Sequence, residues 1–599
     1  MREFSVPPVA TIGDATNLSD AVWENAAVAP DAVQFRRRGA GDEWVDVTCA
    51  EFRDDVTALA RGLIAAGIEP GMRVGLMSRT RYEWTLIDYA ILSVGAVTVP
   101  VYETSSAEQV AWILADSGAV ACFVETNAHA LILAGIPDEV PALAQSWQID
   151  TGDLDVLRER GASVDPAEVA HRRAASTADD VATIIYTSGT TGQPKGCVLT
   201  HRNIHADAAN AIPGLPDLLH EGASTLLFLP LAHSFARLIQ LAVVLARVTT
   251  GHTADTKNLA AEMRGFRPTF VLAVPRVFEK IYNTARQRAV ADNKGGVFDR
   301  AEATAVAYSE ALDRPGGPGL ALRLRRALFD RLVYRKLSDA LGGRCAHAIS
   351  GGAPLGTRLA HFFRGIGVTI YEGYGLTETS PAIAVNLVHA IRIGTVGRPL
   401  PGVTIRVADD GEVLVKGDQV FRGYWNNADA TADVIDAQGW FHSGDLGELD
   451  DDGYLRITGR KKELIVTAGG KNVAPAVLED TVRAHFLVSH AVVVGDRKPF
   501  VGALVTIDEE AWPRWLADAG LPAGSSVADL REDEKLRAEI QKAVDGANKA
   551  VSHAEAIKVF RVLPADFTEA TGELTPSLKV KRGFVHKTYA DEIDAIYRR

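Results

Sequence analysis

Glycines, hydroxyl side chains and one lysine are concentrated in the segment YTSGTTGQPKG, residues 186–196. Glycines let a backbone turn so that its N–H groups point at an anion, while hydroxyls and a lysine add donors and positive charge. The groups that could contact a phosphate in this way are Thr187, Ser188, Gly189, Thr190, Thr191, Gly192 and Lys195. The segment is not a Walker A loop, because Pro194 and Gly196 stand where that motif has a glycine and a hydroxyl residue. We interpret it as a phosphate-binding loop, with a flexible surface loop of the same composition as the alternative.

Four later segments hold further side chains that suit a nucleotide. They are YGLTET at residues 374–379, SGDLG at 443–447, GRKKELIVTAGGKNVAP at 459–475 and LTPSLKVKR at 574–582. The ring of Tyr374 is suited to stacking on a base, and the hydroxyl of Thr377 can hydrogen-bond a phosphate. The carboxylate of Glu378 is a hard oxygen ligand of the kind that Mg²⁺ prefers. Taken one at a time, charged residues such as these are usually solvated surface residues.

In their order and approximate spacing, the five segments resemble the signature motifs of the adenylate-forming enzymes. That superfamily includes acyl-CoA synthetases, adenylation domains of peptide synthetases, and luciferases. The resemblance extends over about residues 20–590, nearly the whole chain. It implies a reaction in which a carboxylate attacks the α-phosphate of ATP and expels pyrophosphate, with Mg²⁺ as cofactor, to form an acyl-adenylate.

The resemblance also implies nucleotide contacts and metal ligands. Asp445 resembles the carboxylate that grips both ribose hydroxyls, a task for which a bidentate acceptor is suited. Arg460 is expected to reach the ribose or the phosphates, and Glu378 and Thr187 are the expected Mg²⁺ ligands. The full set of expected ATP contacts is Thr187, Ser188, Gly189, Thr190, Thr191, Gly192, Lys195, Gly352, Tyr374, Gly375, Thr377, Asp445 and Arg460.

Two lysines and one histidine are expected to serve catalysis. Lys579 matches the family's catalytic lysine because it precedes Arg582 by three residues, although neighbouring Lys581 could be confused with it. A cation there would bridge the acyl oxygen and the α-phosphate and offset their charge. Lys462 falls at the family's hinge position, and His233 resembles an active-site histidine near the carboxylate and the thiol, with a satisfied core histidine as its alternative. After rotation about the hinge, the expected contacts with CoA are Gly469, Gly470 and Lys471.

Apolar stretches favour a long-chain fatty acid as the acid that is activated. The segments LPLAHSFAR at residues 229–237, RPTFVLAVPRVFEKIY at 267–282 and GGAPL at 351–355 look like the long-chain acyl-CoA synthetases. Such segments suit the wall of a tunnel for an acyl chain, and plain core packing is their alternative. Some long-chain members carry a tryptophan four residues beyond the histidine, where this chain has Arg237.

The resulting hypothesis is an ATP-dependent long-chain fatty acid–CoA ligase that yields acyl-CoA, AMP and pyrophosphate, with ATP and CoA as co-substrates. The alternative enzyme is a fatty acid AMP ligase that hands the acyl group to a carrier protein in trans, or an adenylation domain of a peptide synthetase. A membrane-attached lipid-binding module without catalysis is disfavoured, because the phosphate loop, Glu378, Asp445 and Lys579 are all present.

Alternating helices and strands must position the first of these motifs. Residues 50–66 have apolar positions at helical spacing before Gly67, and residues 73–78 follow as a strand. A second helix over residues 79–92 leads into a strand at 97–101, and this alternation indicates a parallel sheet covered by helices. Asp-Gly pairs within residues 407–415 and 448–459 predict antiparallel hairpins. The remaining expected elements are a helix over 475–484, strands over 491–495 and 501–507, and a helix over 530–553.

The predicted fold class is therefore α/β, with a large N-terminal domain of helix-covered sheets plus a β-rich subdomain and a small, mobile α+β C-terminal domain. The predicted domains are residues 1–459, for ATP and fatty acid, and residues 460–599, with the hinge, the thioester loop and the catalytic lysine.

The composition of the chain indicates which partners and which cellular compartment are compatible with this chemistry. Of the 599 residues, 63 are Lys or Arg and 76 are Asp or Glu, and the net charge of −13 argues against a dedicated nucleic-acid binder. The four cysteines contain no CxxC pair and are typical of reduced thiols in the cytoplasm. The N-terminus lacks the apolar segment of a secretory signal, and no uncharged run is long enough to span a membrane.

One basic amphipathic segment leaves peripheral contact with the inner membrane surface open. It is LRLRRALFDRLVYRKL at residues 322–337, in which basic and apolar residues are interleaved. The favoured interpretation is a surface helix whose apolar side packs on the protein and whose basic side is solvated.

Overall fold

Two large β-sheets covered by helices make up most of the chain. The computed structural model describes residues 2–39, 41–187, 193–575 and 579–598. Within these ranges one sheet has seven strands and the other nine, and most neighbouring strands in both are parallel. The predicted parallel sheet covered by helices is therefore confirmed, although each sheet also has antiparallel pairs at an edge.

The two sheets are built from strands that are widely separated in sequence. In spatial order, the strands of the seven-stranded sheet are Gly423–Tyr424, Lys195–Thr200, Val181–Thr187, Val97–Val101, Arg73–Met77, Ala121–Val124 and Gln145–Gln148. Those of the nine-stranded sheet are Arg398–Pro399, Ala382–Val385, Thr369–Gly375, His347–Ser350, Phe270–Ala273, Ser224–Leu227, Thr249–His252, Val33–Arg38 and Trp44–Thr48. The α-helices that accompany them are Asp20–Val28, Cys49–Ala65, Tyr82–Ser93, Ala107–Ser117, Asn127–Ala134, Asp153–Arg160, Pro166–Ala175, His201–Ala211, Ser234–Leu245, Leu259–Phe266, Pro275–Ala291, Gly295–Leu312, Leu320–Phe329, Arg335–Ala340, Thr357–Ile366 and Ala428–Ala432.

The helix Tyr82–Ser93 lies between the two sheets. All of its residues except Glu83 are buried. Asp88 accepts a hydrogen bond of 2.7 Å from Thr98 in the seven-stranded sheet, and Thr85 bonds His252 in the nine-stranded sheet at 3.0 Å. A helix that is enclosed in this way is apolar nearly all round, and its few polar side chains must find partners inside the protein.

Arg237 and Asp88 form a buried ion pair between this helix and the helix Ser234–Leu245. Their side chains are 1% and 0% exposed, and Arg237 Nη2 and Nε lie 2.5 and 3.0 Å from the two carboxylate oxygens. Arg237 also donates to Thr183 and lies over the Trp84 ring, 5.8 Å from its centroid. The residue four positions beyond His233 is thus part of the packed interior.

A five-stranded antiparallel sheet forms the β-rich subdomain. Its strands, in spatial order, are Arg2–Ser5, Thr404–Val407, Glu412–Lys416, Phe441–Leu449 and Leu455–Arg460. Both predicted Asp-Gly hairpins are confirmed, and Gly411 and Gly453 each have φ of +85°, where glycine is favoured. The N-terminal strand joins this sheet through long-range pairing that no local pattern predicts.

The C-terminal part of the chain is a small α+β unit, as predicted. Strands Val488–Val494, Val501–Ile507 and Ile557–Val562 form its sheet, beside the hairpin of Ile465–Val466 and Asn472–Val473. Its helices are Pro475–Arg483, Trp512–Asp518, Val527–Leu530, Glu534–Asn548, Arg582–Thr588 and Ala590–Tyr597.

Two further expectations concern the extent of one C-terminal helix and the position of the domain border. The single helix predicted over residues 530–553 was wrong in extent, because Asp533 starts a new helix by accepting hydrogen bonds from two backbone N–H groups of its first turn. The domain border between residues 459 and 460 stays a prediction, and the strand Leu455–Arg460 continues across it.

The basic segment over residues 322–337 forms in two pieces. The helices Leu320–Phe329 and Arg335–Ala340 are joined by a π-helical turn, Asp330–Tyr334. No helix in the described ranges is long and apolar enough to cross a membrane.

Replacing Arg237 by methionine should strongly destabilise the protein. The change leaves the Asp88 carboxylate buried without a counter-charge, which typically costs about 3–5 kcal/mol of folding free energy. The urea midpoint of unfolding measures the loss. Arg36→Met is the control, because the side chains of Arg36 and its partner Asp46 are 40% and 52% exposed, and such pairs contribute about 1 kcal/mol or less. Equal midpoints for the two variants would contradict the importance of the buried pair.

Candidate active site

Three predicted nucleotide residues meet at one carboxylate. Asp445 and Arg460 lie opposite each other on paired strands, and Arg460 Nε is 2.9 Å from Asp445 Oδ1. The Tyr374 hydroxyl donates to Asp445 Oδ2 at 2.6 Å. Burial raises the pKa of Asp445, while Arg460 and Tyr374 act in the opposite direction. The two donors therefore stabilise the ionised form of a carboxylate that is only 2% exposed.

Glu378 is held by Tyr424, a residue that the sequence analysis did not select. The Tyr424 hydroxyl donates to Glu378 Oε1 at 2.8 Å, and the Lys195 ammonium lies over the Tyr424 ring, 5.0 Å from its centroid. Burial, followed by the charge of Glu378, raises the pKa of Tyr424, so the phenol stays protonated and remains a donor. Tyr424 thus connects the expected metal ligand to the lysine of the expected phosphate loop.

The two ends of the expected phosphate loop are placed by strand pairing. Thr187 ends the strand Val181–Thr187, Lys195 begins the strand Lys195–Thr200, and the two residues are direct antiparallel partners. The predicted contacts Ser188, Gly189, Thr190, Thr191 and Gly192 lie outside the described residues.

His233 caps the helix Ser234–Leu245 close to the YGLTET segment. Its Nδ1 accepts a hydrogen bond of 3.2 Å from the backbone N–H of Phe235. The next residue, Ser234, makes a 3.1 Å hydroxyl–hydroxyl hydrogen bond to Thr377. Burial, followed by the positive charge of Lys579, lowers the pKa of His233 to about 3, so its imidazole is neutral.

Lys579 brings a cation from the small domain close to these residues, and we call the space between Lys579, Asp445, Glu378 and His233 the cleft. Its side chain is exposed to the cleft, yet its charge affects the pKa values of Asp445 and His233. Crowding by surrounding protein atoms and then the charge of Arg460 lower the pKa of Lys579, while Asp445 and Glu378 raise it. The structure therefore places Lys579 among the predicted nucleotide residues.

Arg582 anchors the segment that carries Lys579. Its Nε lies 3.1 Å from a carboxylate oxygen of Glu463, and its Nη2 donates to Glu479. Both partners belong to the small domain. Within the Lys-x-x-Arg spacing, Arg582 is therefore bound inside the small domain, while Lys579 lies at the cleft.

Lys462 lies between two residues that are held by different parts of the molecule. The Lys461 ammonium pairs with Asp410 at 2.6 Å and Glu412 at 3.1 Å, both on the antiparallel sheet. Glu463, on the other side, pairs with Arg582 of the small domain. Lys462 itself is exposed.

The predicted CoA residues are not brought to the cleft. Gly469, Gly470 and Lys471 form the exposed turn of the hairpin Ile465–Val466 and Asn472–Val473, where Gly470 has φ of +76°. Lys471 pairs at 3.4 Å with Glu555, within the small domain. The structure thus has Lys579 in the cleft and the glycine turn away from it.

Two of the predicted ATP contacts are glycines, and the geometry explains for each position why the residue is a glycine. Gly352 follows the strand His347–Ser350 with φ of +80°, a conformation that side chains rarely adopt. At Gly375, which ends the strand Thr369–Gly375, a Cβ atom would overlap the carbonyl oxygen of Pro381. Gly352 therefore leaves open space beside the backbone, whereas Gly375 lets two backbone segments of the large domain pass close to each other.

Carboxyl groups of the two domains influence each other beside the cleft. Burial raises the pKa of Glu372 to about 7, and the charge of Asp480 in the small domain adds to the effect. Burial likewise raises the pKa of Asp480 to about 6, and Glu279 of the large domain is among the charges that raise it further. Burial is the main cause of both raised pKa values, and a carboxylate of the other domain raises each of them further.

The family profiles of known proteins match both parts of the chain. Residues 22–425 match the AMP-binding enzyme family, and residues 462–599 match the AMP-binding enzyme C-terminal domain. The chain belongs to the AMP-binding enzymes. Within that family it is 56% identical over 602 residues, covering all of both chains, to the long-chain-fatty-acid–CoA ligase FadD15 of Mycobacterium tuberculosis. It is 31% identical to the long-chain-fatty-acid–CoA ligase ACSBG2 of Xenopus laevis, over 93% of this chain and 80% of that one.

Solved structures of AMP-binding enzymes share the fold. The anthranilate CoA ligase AuaEII in complex with anthranoyl-AMP superposes with a TM-score of 0.71 at 18% identity, over 96% of this chain and 98% of that one. A Mycobacterium tuberculosis fatty acyl CoA synthetase superposes with a TM-score of 0.62 at 23% identity, over 96% and 99%. The predicted resemblance and the predicted fold class are thus confirmed.

Two residues of the site gave no usable signal in the sequence. Tyr424 is 46 residues from Glu378 and lies in FRGYW, which has no recognisable catalytic spacing. Ser234 stands beside His233, but only the folded chain brings its hydroxyl to Thr377, 143 residues away.

Proposed function

We propose that this AMP-binding enzyme is an ATP-dependent long-chain fatty acid–CoA ligase that forms an acyl-adenylate. In the first half-reaction a fatty acid carboxylate attacks the α-phosphate of ATP and pyrophosphate leaves. In the second, the sulfur of CoA attacks the acyl carbon and AMP leaves. The observation that carries the proposal is the position of Lys579, a small-domain cation close to Asp445 and Glu378. The names of the curated relatives support the substrate class.

Asp445 is proposed to hold the ribose of ATP, and Tyr374 to stack on the adenine. In the structure Asp445 Oδ2 accepts a hydrogen bond from Tyr374, and Asp445 Oδ1 forms an ion pair with Arg460. A carboxylate has about four acceptor sites, so both oxygens retain capacity for a ribose hydroxyl. Because the Tyr374 hydroxyl is bonded to Asp445, ribose binding and ring orientation would be coupled.

The phosphates of ATP are proposed to bind between Lys195, Thr377 and the loop that follows Thr187. Gly352 leaves space for close backbone approach, Gly375 is proposed to contact the nucleotide as well, and Arg460 supplies positive charge at the ribose side. During attack on the α-phosphate, Lys579 would offset charge that develops on the acyl and phosphate oxygens.

Mg²⁺ is proposed to bind at Glu378 and Thr187. Proteins usually hold Mg²⁺ through one or two carboxylates together with substrate phosphates, so a single carboxylate beside the phosphate loop fits. Consistent with this, the described residues contain no cluster of three or more His, Cys, Asp or Glu side chains that could hold a metal by themselves. The bound ion would neutralise charge on the phosphates.

His233 is proposed to contact the acyl group. Its Nδ1 accepts the Phe235 N–H, so the neutral imidazole carries its proton on Nε2 and can donate a hydrogen bond to an acyl oxygen. Because Ser234 bonds Thr377, this contact would be aligned with the phosphate site.

Residues 460–599 are proposed to rotate about Lys462 between the half-reactions. The exchange would withdraw Lys579 and bring Gly469, Gly470 and Lys471 to the pantetheine arm of CoA. The different anchors of Lys461 and Glu463 support Lys462 as the pivot.

We also propose a cytoplasmic location with peripheral contact at the inner membrane surface, where long-chain fatty acids partition.

Lys579→Ala should separate the two half-reactions. It should slow acyl-AMP synthesis about 10²- to 10³-fold, because one preorganised stabilising group is lost. Supplied with synthetic acyl-AMP and CoA, the variant should form acyl-CoA at nearly the wild-type rate. Acyl-AMP and acyl-CoA are quantified separately by mass spectrometry, which also distinguishes a CoA ligase from an AMP ligase that needs a carrier protein.

Lys581→Ala is the matched control for Lys579→Ala and should leave both half-reactions intact. An inactive Lys581→Ala would show that the wrong lysine was selected. Equal loss of both half-reactions in Lys579→Ala would argue against domain alternation.

Removing the Tyr424 hydroxyl should weaken the metal site without abolishing it. Tyr424→Phe should raise the Mg²⁺ concentration for half-maximal pyrophosphate release about tenfold, because Glu378 loses a fixed hydrogen bond. Glu378→Ala should nearly abolish that release. Tyr82→Phe is the control, since the Tyr82 hydroxyl bonds the Asp55 carboxylate at 3.0 Å. An identical Mg²⁺ dependence in Tyr424→Phe and Tyr82→Phe would refute this role.

A further inference from the structure

A row of leucines on the basic segment points to solvent. Leu320, Leu324, Leu328 and Leu332 are 75%, 64%, 57% and 51% exposed, and their spacing of four residues places them along one side of the helix. None of the residues of the helix Leu320–Phe329 is buried. The expectation that the apolar side of this segment packs on the protein is therefore only half correct. We call these four side chains the leucine face.

The segment that carries the leucine face is nevertheless bonded to the protein through its opposite side. Arg326 Nε donates to the backbone carbonyl of Gly365 at 2.7 Å, and the Tyr334 hydroxyl donates to that of Ala301 at 2.7 Å. Tyr334 and Leu337 are buried in the same core as the helix Thr357–Ile366. Since that helix leads into the strand carrying Tyr374, the leucine face is part of the folded large domain.

Basic side chains surround the leucine face. Between residues 320 and 337 the chain has one acidic residue, Asp330, which pairs with Arg335 at 3.2 Å. The basic residues exposed in this segment are Arg323, Arg325, Arg331, Arg335 and Lys336. In the part of the chain that the structure describes, Arg325, Arg331 and Lys336 have no acidic partner. This positive surface stands out on a chain whose net charge is −13.

We propose that the leucine face and its basic residues dock the protein on an anionic lipid bilayer, with the helix lying along the membrane surface. Exposed leucines would enter the boundary between headgroups and acyl chains, and the arginines would contact lipid phosphates. The proposal rests in part on the proposed function, because a ligase for long-chain fatty acids would find its substrate in the bilayer.

Charge complementarity favours a bilayer over a second copy of the chain as the occupant. In a two-fold symmetric contact the same patch meets itself, so the unpaired arginines of both copies would approach one another. Like charges brought together at a desolvated interface repel. An anionic membrane offers both an apolar layer for the leucines and negative charge for the arginines.

Vesicle flotation with the full-length protein tests the proposal. Vesicles of phosphatidylcholine with about 30% phosphatidylglycerol are compared with pure phosphatidylcholine at about 0.1 M salt. The double variant Leu324→Gln/Leu328→Gln should bind anionic vesicles at least about tenfold more weakly than wild type, since two leucines that would enter the bilayer are lost. Arg325→Glu/Arg331→Glu should lose at least about 20-fold, from roughly fivefold for each basic residue removed.

Matched controls come from exposed positions elsewhere. Leu131→Gln replaces a leucine that is 64% exposed, as Leu324 is, and Arg497→Glu replaces an arginine whose side chain is 93% exposed. Both controls should bind vesicles as wild type does. All variants should keep wild-type pyrophosphate release with a soluble medium-chain fatty acid, which shows that they are folded.

Several results would overturn the proposal. They are failure of the wild type to float with anionic vesicles, equal binding to neutral vesicles, and equal binding by the leucine variant and Leu131→Gln. A dimer in size-exclusion chromatography that Leu324→Gln/Leu328→Gln dissolves would identify a second copy as the occupant instead. Because flotation needs no catalysis, an inactive wild type that still binds vesicles would refute the proposed function alone.

Discussion

The structure depends on one electrostatic arrangement, in which Lys579 from the small domain lies near the carboxylates of Asp445 and Glu378 in the large domain. In the large domain, Asp445 lies in the middle of the strand Phe441–Leu449, and Glu378 lies in the 3-10 turn Thr377–Thr379. The small domain supplies a cation against them, and Arg582 fixes the segment that presents it. A charge delivered by a separate domain can be withdrawn, which a residue of the large domain could not achieve.

The contacts between the domains are suited to such a withdrawal. The ion pairs of Arg276 with Asp508 and of Lys280 with Glu510 are partly exposed, and pairs of that kind contribute little to stability. Charge repulsion also acts between the domains, because Asp480 raises the pKa of Glu372 and Glu279 raises the pKa of Asp480, each in addition to the larger effect of burial. Partly exposed ion pairs and like-charge repulsion are contacts of the kind that the proposed alternation between two domain arrangements would need.

The interior of the large domain is rigid by comparison. Arg237 and Asp88 form a bidentate pair between two enclosed helices, and one of these helices begins at His233. The position of His233 and Ser234 beside Thr377 is thus set by buried contacts. The large-domain side of the site is thus held by a buried ion pair, whereas the ion pairs to the small domain are partly exposed.

Local patterns predicted much of this structure, and long-range pairing accounts for what they missed. The helix Cys49–Ala65 has a capping box between Thr48 and Glu51, and the Asp-Gly hairpins form where the sequence places them. By contrast, Arg237 pairs with Asp88, which lies 149 residues away in the sequence, and no sequence periodicity predicts such a pair. Helical periodicity identified the amphipathic segment near residue 330, but periodicity does not state which side faces the protein. For the site, the motifs named Lys579, Asp445 and Glu378, whereas Tyr424 became visible only through its hydrogen bond.

Locking the domains together tests domain alternation most directly. Thr104 of the large domain and Glu569 of the small domain share an exposed hydrogen bond, so cysteines at both positions can be joined by a short bismaleimide with a cleavable disulfide. The four native cysteines are buried and should not react. The account predicts that the cross-linked protein still forms acyl-AMP but cannot convert acyl-AMP and CoA to acyl-CoA until the linker is reduced. Undiminished acyl-CoA formation in the fully cross-linked protein would contradict it.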